Sequence, residues 1–113
     1  VYSEQERWDL AVAAYSNVIR LKPQDAAAHF NLGIAHFNLE DWDRAIAAFE
    51  AVLQLDDAHP YAAENLAKAH YNRGVVRANA GNAAEARQDF ERAIEISDDP
   101  VLQRQAREAL GAL

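Results

Sequence analysis

The strongest constraint on this chain is that it repeats itself. Moving 34 residues back from Trp42, Ala45, Phe49 and Leu55 lands on Trp8, Ala11, Tyr15 and Leu21. Moving forward, Ala45-x3-Phe49 recurs as Ala86-x3-Phe90, but 41 residues on, seven more than the period. Self-similarity of this length means one supersecondary unit used several times, each copy unable to bury its apolar face alone and stacking on the next. Apolar residues return at three- and four-residue spacing and no stretch alternates with period two, so the units are helical and the fold class is all-α.

Residues 26–59 hold the most complete copy: His29, Leu32-Gly33, His36, then Ala45 and Phe49. These residues and their spacing resemble the tetratricopeptide repeat, W-x2-L-G-x2-Y…A-x3-F…P, and the resemblance covers nearly the whole chain. It implies a solenoid of helix-turn-helix units, a right-handed superhelix of about six helices, each repeat having a helix A and a helix B. The expected division is a partial repeat 1 at 1–25, repeat 2 at 26–59, an extended repeat 3 at 60–100 and a capping helix at 101–113.

In chain order, residues 1–6 read as the end of a first helix A whose earlier turns are missing, and 8–21 as helix B of repeat 1, stopped by Pro23. Asp25 is the N-cap of the next helix A, which runs to about Leu39; Glu40-Asp41 turns the chain, and helix B covers 42–55. The third helix A runs from about His59-Pro60 to Ala80, before a Gly81-Asn82 turn, with its helix B at 83–96. Asp98-Asp99-Pro100 opens a last helix with a polar back, the device a solenoid needs at its end. Gly33, Ala45 and Ala86 are the small residues that the pattern places where helices approach closely, and a larger side chain there would push them apart.

Two registers fit the third helix A. In the strict period, Asn65-Leu66-Ala67 copies Asn31-Leu32-Gly33 and the seven extra residues lengthen the helix at its C-terminal end. In the other, Tyr71-Asn72-Arg73-Gly74 resembles the opening common in bacterial members of the family, and the extra residues come first. Seven residues are nearly two helical turns, so both registers present almost the same face. The second makes 67–100 a complete repeat and is preferred, although it puts Arg73 and Arg77 where a partner helix usually lies. The long helix with its Gly-polar turn also resembles the photosystem I assembly proteins of this family.

Composition limits function. Half the residues are apolar, there is no cysteine and hence no disulfide or thiol site, and no run approaches the length of a membrane span, so direct membrane insertion is not expected. A net charge of −7 argues against nucleic acid, which needs a basic face. The charge is uneven: 58–80, with three bases and one acid, is the only net-positive segment. The chain begins at Val1 and has no methionine, which reads as a domain cut from a larger protein or a bacterial cytoplasmic one, its compartment unknown. His29 and His36 lie seven apart on one helix, about 10 Å, too far to share an ion. With His70 they take aromatic positions of the pattern and read as packing residues. Asp56-Asp57-x-His59 reads as a capped loop. No nucleophile triad, phosphate loop or paired His motif is present, so no enzyme activity, metal or cofactor is expected.

What remains is surface. The family resemblance implies a concave groove lined by the A helices. Its positions fall on Ala27, Phe30, Ile34, Phe37 and Asn38 in repeat 2, and on Lys68, Tyr71, Val75, Ala78 and Asn79 in repeat 3, or on Tyr61, Glu64, Lys68, Tyr71 and Asn72 in the strict register. The expected function is a non-catalytic scaffold holding a protein or peptide ligand there. Phe30 and Phe37 could equally be packing residues. A carboxylate clamp for a chaperone tail is one alternative: Asn31 and Lys68 match its pattern, Asn72 stands where it has arginine, and the first helix A is absent. The others are an assembly chaperone for a membrane complex such as a photosystem, and a self-associating module, since Trp8, Val12, Tyr15 and Ile19 lack most of their helix A and a homodimer through them would cover them.

Overall fold

The computed structural model describes residues 1–113 and contains six helices and no strand. The helices are α1 (Glu4–Leu21), α2 (Ala26–Asn38), α3 (Trp42–Leu55), α4 (Ala62–Asn79), α5 (Ala83–Ile96) and α6 (Pro100–Gly111). The chain packs as two compact units, Val1–Ala62 and Ala63–Leu113.

Helix ends follow local chemistry. Ser3, Asp25, Asp41 and Asp99 each accept a hydrogen bond from a backbone N–H of the first turn of the helix that follows, satisfying groups that have no partner within it. Pro100 occupies the first turn of α6, where its missing N–H costs nothing. Two expected boundaries shift. Ser3 caps a helix that continues unbroken past Arg7, so residues 4–6 are the first turn of α1 rather than the end of a separate helix. His59-Pro60 does not open α4: His59 Nδ1 accepts from the N–H groups of Tyr61 and Ala62, at 3.2 and 3.1 Å, and the helix starts at Ala62.

In the first unit α2 packs on both α1 and α3. Ala35, Ala45, Phe49 and Val52 are fully buried, whereas α1 has no buried residue at all. Its Ala11, Val12, Tyr15, Val18 and Ile19 are half-buried, while Leu10 and Ala14 face outward. In the second unit Ala86, Phe90, Ala93 and Ala106 form the core, with Tyr71, Val75, Ile94 and Leu110 packed around it.

The two units repeat one contact. The Phe49 ring lies over Gly33, where a Cβ would stand 2.6 Å from Cε1, and the Phe90 ring lies over Gly74, where it would stand 2.7 Å away. Gly33 therefore makes room for a ring rather than for a neighbouring backbone. Phe30 tilts against Phe49 at 5.8 Å and 53°, and Tyr71 against Phe90 at 5.6 Å and 52°. The following turns match too. Glu40 N–H bonds Phe37 O and Asp41 N–H bonds His36 O, while Gly81 N–H bonds Ala78 O and Asn82 N–H bonds Arg77 O. This is the double bond that closes a helix through a left-handed residue. Glu40 adopts that conformation at φ 58°, and Gly81 at φ 85° without the Cβ penalty.

Every equivalent pair, 30 and 71, 33 and 74, 40 and 81, 49 and 90, is 41 apart. The seven extra residues thus precede the repeat, as in the preferred register, and α4 gains its length at its N-terminal end.

Candidate functional site

The 41-residue equivalence shows what each A helix presents. On α2, Phe30 stacks on His59 at 4.8 Å, and Phe37 meets the Trp42 ring edge-on at 5.0 Å and 82°. Both rings are half-buried and held in intramolecular pairs. Ile34 is half-buried, and Asn38 is exposed but donates its amide to Ile34 O at 2.8 Å, closing its own helix. Tyr71 and Val75 on α4 pack around the second core, leaving Lys68 fully exposed and Asn72 half-exposed. Asn31 and Asn72 are equivalent, both half-exposed, and neither carboxamide is engaged in a hydrogen bond. The structure therefore keeps the proposed residues on two surfaces, one per unit, but makes the aromatic ones mainly supports for their helices and the polar ones the accessible groups.

Sequence reasoning missed the most buried charge. Asp89 on α5 is 2% exposed and receives three cationic or polar side chains from α4. Its Oδ1 accepts from His70 Nδ1 at 3.0 Å and Arg73 Nη2 at 2.8 Å, and its Oδ2 from Arg77 Nη1 at 2.9 Å. Arg73 Nε spans both oxygens at 3.2 and 3.1 Å. Burial alone would raise this carboxyl's pKa, but the hydrogen bonds of His70 and Arg73 and the charges of Arg73 and Arg77 outweigh it and hold the group below its ordinary value. Arg77 also reaches Glu85 at 3.6 Å. In repeat 2 the equivalents of Arg73, Arg77 and Asp89 are Leu32, His36 and Ala48. A mostly apolar helix contact has become ionic, and the signal was the pair of arginines standing where a partner helix lies.

This has a functional consequence: two of the three bases of 58–80 are turned onto Asp89, and Lys68 is the one that faces solvent. The histidines are structural. His29 Nε2 pairs with Pro23 O at 2.9 Å, and burial pushes the His36 imidazole down, keeping it neutral. No three His, Asp or Glu side chains gather so as to hold a metal ion, and no helix is long and apolar enough to cross a membrane.

Comparison with known proteins decides the family. A tetratricopeptide repeat profile matches residues 1–63, and a second matches 67–100. The chain belongs to the tetratricopeptide repeat family. The second match begins where the 41-residue equivalence begins the repeat. Among solved structures, the chain resembles the first tetratricopeptide domain of Spaghetti (RPAP3), bound to the HSP90 peptide SRMEEVD, with a TM-score of 0.57 and 22% identity over 96% of this chain and 82% of that one. It resembles YrrB, described as having an unusual peptide-binding site, with a TM-score of 0.55 and 30% identity over 91% of this chain. It spans 50% of YrrB. The N-terminal domain of stress-induced protein-1 from C. elegans gives a TM-score of 0.55 and 20% identity over 84% of this chain and 75% of that one. No curated protein sequence matches the chain. Tetratricopeptide repeats are generally non-catalytic interaction modules, and this chain is a scaffold of that class.

Removing the Asp89 carboxylate leaves two arginines facing each other at a buried point, so Asp89→Ala should cost about 3 kcal/mol in chemical denaturation. Installing the repeat 2 residues together, Asp89→Ala with Arg73→Leu and Arg77→His, should recover most of that. Because the folded pKa of Asp89 is depressed, its contribution is complete above the ordinary carboxylate pKa of 3.8 and is lost as pH falls below that value toward the folded one. The variants should show a flatter acid limb than the parent; a triple variant as unstable as the single one would contradict this account.

Proposed function

We propose that the protein is a non-catalytic scaffold that holds a peptide segment of a partner protein against its A helices. The observation that carries this reading is the recurrence of one unengaged carboxamide, Asn31 on α2 and Asn72 on α4, at equivalent half-exposed positions. A carboxamide both donates and accepts, so it can pair with a peptide backbone whatever the side chains are. Lys68, exposed and one turn before Asn72, adds attraction for a carboxylate on the ligand. The Spaghetti domain, seen with an acidic peptide, and YrrB, with its unusual peptide site, support peptide recognition as the mode. An acidic chain terminus and an internal acidic segment are both ligands of this chemistry, and an assembly chaperone would use the same surfaces on a different partner.

A homodimer is a second reading, favoured by α1. This helix buries no residue, leaves Tyr2, Leu10 and Leu21 exposed and, with Asn38, lines a cavity of about 370 Å³ around Trp8. A second copy seated there would remove this apolar surface from water.

Two measurements test these readings. A partner captured from the source organism should bind the Lys68→Glu, Asn72→Ala variant at least about tenfold more weakly, the loss expected from one or two hydrogen bonds to charged or polar groups. Tyr71 is left in place because its ring supports Phe90. Unchanged affinity in a variant of unchanged helicity would contradict the proposed surface. Sedimentation equilibrium should show a dimer that weakens when Leu10→Glu is introduced at its exposed position; a strict monomer at high concentration would remove the dimer.

A further inference from the structure

The second unit has a vacancy that the first unit fills with its own side chains. In α2 and α3 the Phe37 ring meets the Trp42 ring at 5.0 Å. The equivalent residues of α4 and α5, 41 later, are Ala78 and Ala83. Both alanines line a cavity of about 420 Å³ whose floor is the ring of Phe90, the same ring that covers Gly74. Val75 forms one wall, and Ala109 and Leu113, after and within the last turns of the chain, form the other. The lining is apolar apart from Asn79 at the end of α4. Asn79 differs from its counterpart in one respect: Asn38 donates its amide to Ile34 O, whereas Asn79 is exposed and makes no hydrogen bond.

We propose that this cavity is a binding site for one aromatic side chain of a peptide partner, with tryptophan its preferred occupant. The repeat itself supplies the template: the same backbone frame, with the same turn and the same phenylalanine floor, holds a phenyl and an indole in unit one. A ring entering from outside meets Phe90 as Phe37 and Trp42 meet each other, in the tilted or edge-on contact that aromatic pairs prefer. An indole carries in addition one N–H donor, and the Asn79 carbonyl at the edge of the cavity is the acceptor for it. A leucine side chain would fill part of the space and use neither feature. The site rests on the peptide-binding reading and names an anchor for it, adjacent to the surface of Lys68 and Asn72 but separate from their charges.

The test uses the whole chain and N-acetyl-tryptophanamide as probe, followed by amide chemical shifts. Saturable shifts confined to the cavity around Val75, Ala78, Asn79 and Phe90 are expected, with N-acetyl-leucinamide about tenfold weaker. The variant Ala78→Phe, Ala83→Trp, which installs the repeat 2 pair, should melt no lower than the parent and lose the saturable shifts. Should it not fold, Ala83→Leu is the smaller plug and should weaken the probe. Absence of saturable shifts, equal binding of the leucine probe, or unchanged binding in a folded plugged variant would each overturn the proposal. So would the same shifts appearing on concentration of the protein alone, which would make the occupant another copy. If the cavity fails while Lys68→Glu, Asn72→Ala still weakens a captured partner, the anchor is wrong and the scaffold reading stands.

Discussion

The fold depends on an aromatic ring laid over a glycine. Phe49 on Gly33 and Phe90 on Gly74 fix where helix B crosses helix A, because the ring fills the space that any side chain at the glycine would need. A glycine inside a helix costs about 0.5–1 kcal/mol against alanine. Burying a whole phenylalanine is worth about 1.5–3 kcal/mol, so the contact wins in each unit. Phe30 and Tyr71 then pack on the far side of the same rings, which joins the face of each A helix to the core beneath it.

Around that shared contact the two units diverge, and their divergence is what distinguishes this protein from a uniform array. The first closes its helix pair with apolar residues and the Phe37–Trp42 ring pair. The second replaces the former with the Asp89 cluster and the latter with alanines and a cavity. Ion pairs of this kind cost desolvation that apolar packing does not. They also turn Arg73 and Arg77 inward, so the positive character of 58–80 reaches solvent mainly through Lys68. Charge read along a sequence is therefore a poor guide to charge on a surface.

Much of this was legible beforehand. The period fixed the helix count and the crossing contact, and caps at Asp25, Asp41 and Asp99 follow from residue type alone. The register of α4 was not legible, because a seven-residue shift barely rotates a helix; the ring over Gly74 resolves it. Asp89 was invisible because a single acid on an otherwise amphipathic helix reads as solvated. The aromatic residues Phe30, Phe37 and Tyr71 were read as walls of a groove, while half-buried ring pairs show them also to be part of the helix packing. The residues most able to meet a ligand, Asn31, Lys68 and Asn72, were recognisable through the family pattern, but their exposure and lack of internal partners needed coordinates.

The account's central claim is that the repeats are related by 41 residues, with the extra turns ahead of the repeat and one aromatic-on-glycine contact in each unit. Proton–proton cross-relaxation measures this directly. The Phe90 ring protons should show strong effects to the Gly74 α-protons, as those of Phe49 should to Gly33, and both glycine pairs should be shifted upfield by the rings. Strong effects from Phe90 to Ala67, the residue that the strict 34-residue register puts in the glycine's place, with none to Gly74, would contradict it.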